Sequence, residues 1–269
     1  MALTAFQQSI LRVIAGARRG QGESYVAGGT ALNALLQAPR LSRDIDLFHD
    51  SEAALAASWA ADRTTLTSHG MDVSVLRESP SFVEALVTES DRTCVIEWAR
   101  DSAFRFFPLM EDDVLGLTLH PFDLATNKVL ALAGRLEVRD WVDVLTCDER
   151  LQPLGYLVYA ACGKDPGYNP LSLLEVAKRQ HYSQIELDTL DFDGGSPDAA
   201  ELGRRWHAVL SAADAVCDAL PPDHVGTCVA VANGALCALE GPALRAALAA
   251  GTLIFHEGTI GGAWPRVVG

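Results

Sequence analysis

The chain has 269 residues, of which 49% are hydrophobic and 21% are charged, a composition that is typical of a folded globular protein and excludes a disordered one. The formal net charge of −14 argues against a broad nucleic-acid-binding surface, although it leaves room for a local basic cleft. No run of apolar residues approaches the roughly 20 that a membrane-spanning helix needs. Residues 1–20 lack the basic start of a signal peptide, so we expect a cytoplasmic protein.

The first 110 residues alternate between helical and strand-like patterns. Residues 1–20 predict an amphipathic helix whose apolar face carries Phe6, Ile10, Val13 and Ile14. Further helices are predicted at 30–38 and 52–70, and strands at 23–29, 43–50, 71–78, 82–89 and 93–100. This order of strands and helices indicates a mixed β-sheet.

After about residue 110 the pattern becomes mainly helical. Helical segments are predicted at 121–147 (in two pieces), 171–181, 198–220, 226–240 and 241–251, with an exposed loop at 190–198. We therefore predict an α+β protein. A domain of residues 1–110, built on a mixed β-sheet with helices, precedes a mainly helical domain of residues 111–269.

The cysteines and histidines favour a reduced protein without a structural zinc site. Six cysteines are scattered along the chain without a C-x-x-C pair, and several lie in apolar stretches such as TCVIEW. We therefore expect reduced, buried thiols. The seven histidines form no cluster with the spacing of metal ligands.

Two features within residues 28–48 predict a site for a nucleotide and its metal. Gly28 and Gly29 end a strand and open a helix, and a bare helix N-terminus binds anions, with Thr30 adding a hydroxyl. Because side chains alternate along a strand, Asp44 and Asp46 share one face, about 7 Å apart. Such carboxylates repel each other unless a cation lies between them, and Mg²⁺ prefers oxygen ligands of this kind.

Glu97 is the candidate for a third carboxylate. It lies in an otherwise apolar strand and shares a face with Val95 and Ala99. If this strand lies next to the Asp-x-Asp strand, Glu97 completes a three-carboxylate, two-metal site that binds a triphosphate and polarises an attacking hydroxyl. Alone, Glu97 is equally well explained as an edge-strand acid with access to water.

The helical segment 121–147 supplies further charged candidates. Lys128 and Arg135 lie on one helical face, where they are suited to binding the triphosphate or the developing pyrophosphate. Asp140 and Asp143 stand at the start of the next helix. Either one can cap that helix, pair with Arg139 or reach the site.

In order and spacing, these residues resemble the polymerase-β-like nucleotidyltransferases, most closely the AbiEii-type branch. The first signature is a GGT-A-L start followed by R-x-S-x-D-x-D and an apolar residue, here Gly28, Gly29, Thr30, Ala31, Leu32, Arg40, Ser42, Asp44, Asp46 and Leu47. The second signature, roughly L-A-x-K…A…R…R-D-x-x-D-L, is matched by Lys128, Ala131, Arg135, Arg139, Asp140 and Asp143, with Val144 in place of leucine. The resemblance covers roughly residues 24 to 146.

The resemblance implies a nucleotidyltransferase fold and metal-dependent transfer of a nucleoside monophosphate from a nucleoside triphosphate (NTP) to an acceptor hydroxyl or phosphate. Its metal is Mg²⁺ or Mn²⁺, with Asp44, Asp46 and the less regular Glu97 as ligands. Together with Lys128 and Asp140, these three are the candidate catalytic residues. The candidate nucleotide-binding residues are Gly28, Gly29, Thr30, Arg40, Ser42, Lys128 and Arg135.

The acceptor is open between three hypotheses. In the first, the protein is an AbiEii-like toxin with a cognate antitoxin and modifies tRNA, which requires a basic lane from Arg40 and Arg43 towards Arg135, Arg139 or Lys178 and Arg179. In the second, favoured by the acidic charge, the acceptor is an aminoglycoside-like small molecule or a protein side chain. In the third, the fold is a catalytically silent binding module, and the intact acids argue against this reading.

Overall fold

The computed structural model describes residues 3–18 and 22–266, which belong to two units. The first unit comprises residues 1–103 and 108–120, and the second comprises residues 104–107 and 121–269. The boundary therefore falls after residue 120, not after residue 110 as the composition suggests. The two short strands within residues 110–118 account for the difference, because they belong to the sheet of the first unit.

Helices and short strands make up most of the described residues. The helices are α1 (Ala5–Arg18), α2 (Gly28–Leu35), α3 (Glu52–Ser68), α4 (Pro121–Arg135), α5 (Val138–Arg150), α6 (Leu154–Ala161), α7 (Pro170–Lys178), α8 (Gln184–Leu187), α9 (Ala199–Ala219) and α10 (Gly241–Ala249). The strands are β1 (Ser24–Ala27), β2 (Arg40–Leu41), β3 (Asp44–His49), β4 (Asp72–Ser79), β5 (Phe82–Glu89), β6 (Arg92–Arg100), β7 (Phe104–Arg105), β8 (Met110–Asp112), β9 (Gly116–Thr118), β10 (Asp191–Phe192), β11 (Cys228–Val231), β12 (Leu253–His256) and β13 (Thr259–Ile260). None of the helices in the described ranges is long and apolar enough to cross a membrane.

The first unit is built on a seven-stranded mixed sheet in the order β4-β5-β6-β3-β1-β9-β8. Strand β3 runs parallel to β6 and β1 runs parallel to β9, whereas the other neighbours are antiparallel. Parallel neighbours need a crossover connection, which between β3 and β6 contains α3 and the β4–β5 hairpin. The predicted α+β class with a mixed sheet is confirmed, and so are the helices and strands predicted up to residue 100.

The sheet buries one face and leaves the other partly exposed. Along β3, Ile45 and Leu47 are fully buried, whereas the alternating residues Asp44, Asp46 and Phe48 are partly exposed. Strand β6 follows the same pattern, with Cys94, Ile96 and Trp98 buried and Val95, Glu97 and Ala99 partly exposed. The partly exposed side is called the carboxylate face below.

Helices α1 and α3 cover the buried face of the sheet. Trp59 of α3 packs edge-on against Trp98 of β6, with ring centroids 4.7 Å apart. The buried residues of α1 are Phe6, Ile10, Leu11 and Ile14. Val13, which the sequence pattern places on this face, is only partly buried, because the buried stripe is rotated towards Leu11.

The second unit is mainly helical, as predicted, but one predicted helix is wrong. Residues 226–240 contain strand β11, which pairs with β12 in antiparallel register, followed by a turn in which Gly234 has a φ of +84°. The short apolar run Cys228–Val231 is compatible with either a helix or a buried strand. Its partner β12 lies beyond helix α10, so the local pattern could not reveal the pairing.

The six cysteines are free thiols, and five of them are buried. Burial disfavours the charged thiolate and raises the pKa of Cys162 to about 11. The Cys162 thiol is therefore protonated at neutral pH, and the free, mostly buried cysteines agree with the expectation of reduced, buried thiols.

Replacing Asp62 tests the polar contact between α3 and the sheet. The buried carboxylate of Asp62 accepts a hydrogen bond of 2.8 Å from the indole nitrogen of Trp98. We expect Asp62→Ala to lower the free energy of unfolding by about 1–3 kcal/mol, because it leaves a buried donor without a partner. Denaturant unfolding measures this loss. The exposed neighbour Thr64→Ala should change stability by less than about 0.5 kcal/mol, and equal effects of the two variants would contradict the prediction.

Candidate active site

The two glycines of the first signature bring the start of α2 against the Asp-x-Asp strand. Gly28 has a φ of +62°, a backbone conformation that residues other than glycine rarely adopt. A Cβ at this position would lie 1.7 Å from the Oδ2 atom of Asp46, so only glycine permits this approach. The preceding residue, Ala27, provides no side-chain cap for the helix, and the hydroxyl of Thr30 donates to the main-chain oxygen of Asp44. A helix N-terminus whose N-cap residue supplies no side-chain cap thus lies beside the Asp46 carboxylate, which is an arrangement suited to a phosphate and its metal.

Arg40 and Ser42 lie beneath the second glycine. A Cβ on Gly29 would stand 2.6 Å from Nη2 of Arg40 and 3.2 Å from Oγ of Ser42. Both side chains are buried, and the amide nitrogen of Gln7 donates to the main-chain oxygen of Ser42 at 2.8 Å. These two residues support the start of α2 in this structure, and their contact with a nucleotide remains a prediction.

Four charged residues form a row across the carboxylate face. In the parallel pairing of β3 and β6, Asp46 stands opposite Glu97. Glu97 in turn stands opposite Glu84 of β5, and Glu84 stands opposite Arg77 of β4. The Nε atom of Arg77 lies 2.7 Å from Oε2 of Glu84. The strand carrying Glu97 therefore lies next to the Asp-x-Asp strand, and this condition for the third carboxylate is met.

The donor chemistry of this face fits a divalent cation that arrives with a nucleotide. Within residues 3–18 and 22–266, no group of three or more His, Cys, Asp or Glu side chains is arranged to hold a metal ion. The site of Asp44, Asp46 and Glu97 thus remains a prediction. Mg²⁺ in nucleotide sites is held by one or two carboxylates and by substrate phosphates, and Asp44 and Asp46 suffice for that. Burial, reinforced by the charge of Asp44, raises the pKa of nearby Cys94 to about 12, and the Cys94 side chain lies on the buried face of β6, opposite the carboxylates.

The second signature forms a cluster of its own in the second unit. The Nζ atom of Lys128 lies 2.9 Å from Oδ1 of Asp140 and 3.0 Å from Oδ2 of Asp143. Arg135 reaches the same Oδ1 atom of Asp140 at 3.1 Å, which confirms that Lys128 and Arg135 share one helical face. Lys128 and both aspartates are buried, whereas 48% of the Arg135 side chain is exposed. Lys128 is thus engaged by two carboxylates, and Arg135 is the exposed cation of this cluster.

Asp140 is neither the cap of α5 nor a partner of Arg139 among the measured ion pairs. Glu137 occupies the N-cap position, and the Nε atom of Arg139 lies 2.5 Å from Oε2 of Glu137. The Oδ2 atom of Asp140 is buried without a hydrogen-bond partner among the described residues. A buried acceptor in this state is costly unless a ligand or a water serves it.

Sequence reasoning missed three residues near these clusters. The alternation of FVEALVTE contained a usable signal for Glu84, because it places this acid on the partly exposed face of β5. Arg77 could not be assigned, because β4 has a register shift between Val75 and Arg77. Tyr182 carries no local signal. The Tyr182 ring lies 5.4 Å from the ring of Trp141 in α5, and burial, followed by the charge of Asp140, raises the pKa of Tyr182 to about 12.

Residues 17–102 match the model of a protein family described as "Nucleotidyl transferase AbiEii toxin, Type IV TA system". The match includes the whole first signature and Glu97, and it covers less than half of the chain. It confirms the resemblance to this family, so residues 17–102 form a nucleotidyltransferase domain of the AbiEii type. The protein is accordingly an enzyme of the nucleotidyltransferase class.

Two solved structures are similar to this chain at low sequence identity. JHP933 from Helicobacter pylori is 13% identical, with a TM-score of 0.52, over 80% of this chain and 95% of that one. MenT4, a nucleotidyltransferase toxin from Mycobacterium tuberculosis H37Rv, is 14% identical, with a TM-score of 0.49, over 81% of this chain and 87% of its own. The similarity to JHP933 shows a common fold. No curated protein matches the sequence.

Removing Lys128 tests the buried ion cluster. Lys128→Ala leaves the carboxylates of Asp140 and Asp143 without their central cation, so we expect the free energy of unfolding to fall by about 3–5 kcal/mol. Arg135→Ala removes an exposed cation from the same carboxylate and should cost less than about 1 kcal/mol. Denaturant unfolding compares the two, and a Lys128→Ala variant as stable as Arg135→Ala would argue against a structural role of the lysine.

Gly28→Ala tests the close approach of the helix start to Asp46. The new Cβ meets the carboxylate and holds alanine in a left-handed conformation, so we expect a loss of at least about 1–2 kcal/mol in stability. The matched control is Gly134→Ala, where a Cβ meets nothing within 4 Å. That helical substitution should stabilise the protein by about 0.5–1 kcal/mol. Equal shifts in thermal unfolding for the two variants would show that the approach is not tight.

Proposed function

We propose that the protein transfers a nucleoside monophosphate from an NTP to an acceptor in a reaction that depends on Mg²⁺ or Mn²⁺. The observation that supports this most directly is the contact of Gly28 with Asp46, which brings the start of α2 to the strand that carries the two carboxylates. The helix start can bind the phosphates of an NTP, and the carboxylates beside it can bind the metal ion that accompanies those phosphates. The match of residues 17–102 to nucleotidyltransferases supports the same reaction.

In the first unit, one set of residues would bind the phosphates and another would bind the metal. The main-chain N–H groups at Gly28, Gly29 and Thr30 bind phosphate oxygens, and Arg40 and Ser42 hold this helix start in place. Asp44 and Asp46 would hold the metal, and Glu97 lies beside Asp46 to accept the proton of the attacking hydroxyl or to join the ligand set. When bound, the metal neutralises phosphate charge and polarises the reacting phosphoryl group.

The second signature contributes through Arg135 and its buried neighbours. Arg135 is half exposed, so we expect it to be the cation of this cluster that is available to an anionic group. Lys128 and Asp140 hold Arg135 in a fixed position through the shared Oδ1 atom of Asp140. A direct role of Lys128 or Asp140 in the chemistry requires the nucleotide to replace one of these contacts.

For the acceptor we propose RNA, with tRNA as the first candidate and with a cognate antitoxin as the protein partner in the cytoplasm. The family description, which names toxins of a toxin–antitoxin system, supports the antitoxin as a partner. The basic lane is weaker than the sequence suggested, since Arg40 is buried and Lys178 is paired with Glu175 and Asp214. An RNA acceptor must therefore be recognised by more than its phosphate charge.

A small-molecule acceptor is the second candidate, and the net charge of −14 favours it. An amine-bearing alcohol, of the aminoglycoside kind, would be attracted to a negatively charged protein. One assay distinguishes the RNA acceptor from the small-molecule acceptor. The protein is incubated with each labelled NTP and Mg²⁺, in the presence of total tRNA or of a metabolite extract. Label in the RNA supports the first acceptor and label in small solutes supports the second, whereas no transfer and no NTP binding would refute the proposed reaction.

Asp46→Asn tests the metal-binding role in the same assay. The substitution keeps the shape of the side chain but removes its charge. Replacing a residue that only supports a metal ligand lowers activity by up to about 100-fold, so we expect the loss of a ligand itself to lower the rate of transfer by at least that much. The matched control is Asp72→Asn on exposed strand β4, which should keep full activity. Unchanged thermal unfolding shows that Asp46→Asn is folded. Retained transfer by this folded variant would refute the metal role.

A further inference from the structure

A chain of polar side chains runs through the first unit on the buried side of the sheet, opposite the carboxylate face. The Oγ atom of Ser58 in α3 lies 3.3 Å from Oδ2 of Asp62 and 3.2 Å from Oγ of Ser24 in β1. Oγ of Ser24 lies 3.0 Å from Nε2 of His49, and Nδ1 of the same ring lies 3.2 Å from the main-chain oxygen of Ala99 in β6. We call Asp62, Ser58, Ser24 and His49 the proton chain.

The proton chain contains a buried histidine that faces a buried acid. All four side chains have exposed fractions of 6% or less. Apart from Asp62, the charged side chains that the structure describes on α1, α3, β1, β3 and β6 are at least partly exposed, as is Asp50, which follows His49. Those on the helices and on the strand next to His49 include Arg12, Arg63 and Arg100. Within the described part of these elements, His49 therefore faces one buried charge, and that charge is negative.

The contacts of the proton chain need one proton more than a neutral histidine and an ionised aspartate supply. The contact with Ala99 needs a proton on Nδ1 of His49, because a carbonyl oxygen can only accept. The other three contacts need one proton each, and the two serine hydroxyls supply one each. The third proton must lie either on Nε2 of His49, which makes the ring an imidazolium, or on Asp62, which makes it a neutral acid.

The surroundings of Asp62 place the third proton on His49. Oδ2 of Asp62 accepts a hydrogen bond of 2.8 Å from the indole nitrogen of Trp98, in addition to its contact with Ser58. Hydrogen bonds donated to a carboxylate favour its ionised form. A proton on His49 also gives the buried carboxylate a cation within the chain, which offsets the cost of burying its charge.

We propose that His49 is an imidazolium at neutral pH and that the proton chain is a pH-sensitive device that holds β3 in the first unit. The ring of His49 reaches β1 through Ser24 and β6 through Ala99, and these are the two strands that pair with β3. Through Ser58 and Asp62 the chain also ties β3 to α3. When His49 loses its proton, one contact has no hydrogen and the buried carboxylate has no cation within the chain.

The proposal fixes the sign of the pH dependence. It requires the pKa of His49 to be higher in the folded protein than the value of about 6.5 that is usual for an unfolded histidine. The stabilisation by the imidazolium is then fully present below about pH 6.5 and is lost as the pH rises through the folded pKa. A histidine that is buried in the neutral form would give the opposite slope.

NMR of the whole protein with nitrogen-15-labelled histidine detects the charge on His49 directly. At pH 7.5 a histidine with the usual pKa is about 90% neutral. We expect both ring nitrogens of His49, identified by their absence in His49→Gln, to carry a proton at this pH. In Asp62→Asn the ring should be neutral, because the amide has no charge and can supply the third proton. A neutral ring in the wild-type protein would overturn the proposal, as would a ring that stays charged in Asp62→Asn.

Denaturant unfolding between pH 6 and pH 9 measures the consequence for stability. Thiols become charged in the unfolded chain above about pH 8, but wild type and His49→Gln share this effect, so their difference isolates His49. Relative to His49→Gln, the unfolding equilibrium constant of the wild type should rise up to about tenfold per pH unit between about pH 6.5 and the folded pKa, because folding takes up one proton. Ser68→Ala, at an exposed position of α3, should keep this slope, and Asp62→Asn should lose it.

A flat difference or one of opposite sign would overturn the proposal, because His49 would then take up no extra proton on folding. If His49→Gln does not fold, Asp62→Asn becomes the reference for the unfolding measurement. The ring nitrogens of His49 are then identified in the wild-type protein by correlation with its backbone, so the NMR result decides without any variant.

Discussion

The close approach of Gly28 to Asp46 is the constraint on which the rest of the site depends. There is no room for a Cβ between them, so the chain must take a left-handed turn between β1 and α2. That turn directs the N-terminus of the helix towards the carboxylate, and Gly29 allows Arg40 and Ser42 to pack beneath the same turn. The spacing of the first signature follows from this geometry, because the glycines and the Arg-x-Ser-x-Asp-x-Asp segment are two sides of one contact.

The parts of the site that follow from local periodicity could be predicted from the sequence. Strand alternation was sufficient to place Asp44 and Asp46 on one face, because the burial of Ile45 and Leu47 leaves a strand no other orientation. The same reasoning placed Glu97 on the partly exposed side of β6. That β6 is the neighbour of β3, however, depends on pairing between distant segments, and the sequence could state this only as a condition.

The features that could not be predicted depend on tertiary contacts. Helical spacing put Lys128 and Arg135 on one face but could not show that Asp140 and Asp143 neutralise Lys128 in a buried cluster. A buried lysine costs free energy unless carboxylates pair with it, and here two of them do. Strand β11 was mistaken for a helix because its pairing with β12 outweighs the weak preference of a short apolar run. In each case the missing information lay in another element.

The parallel pairing of β3 with β6 has a consequence for the order in which the enzyme is completed. Antiparallel neighbours can meet through a tight hairpin, but these two strands are separated in the chain by α3, β4 and β5. Closing such a long connection delays the pairing, because its entropy cost precedes the contacts that offset it. A nascent chain that ends before β6 can form the turn at Gly28 but lacks the strand that brings Glu97 to Asp46. Assembly of the carboxylate row is thereby tied to synthesis of nearly the whole first unit.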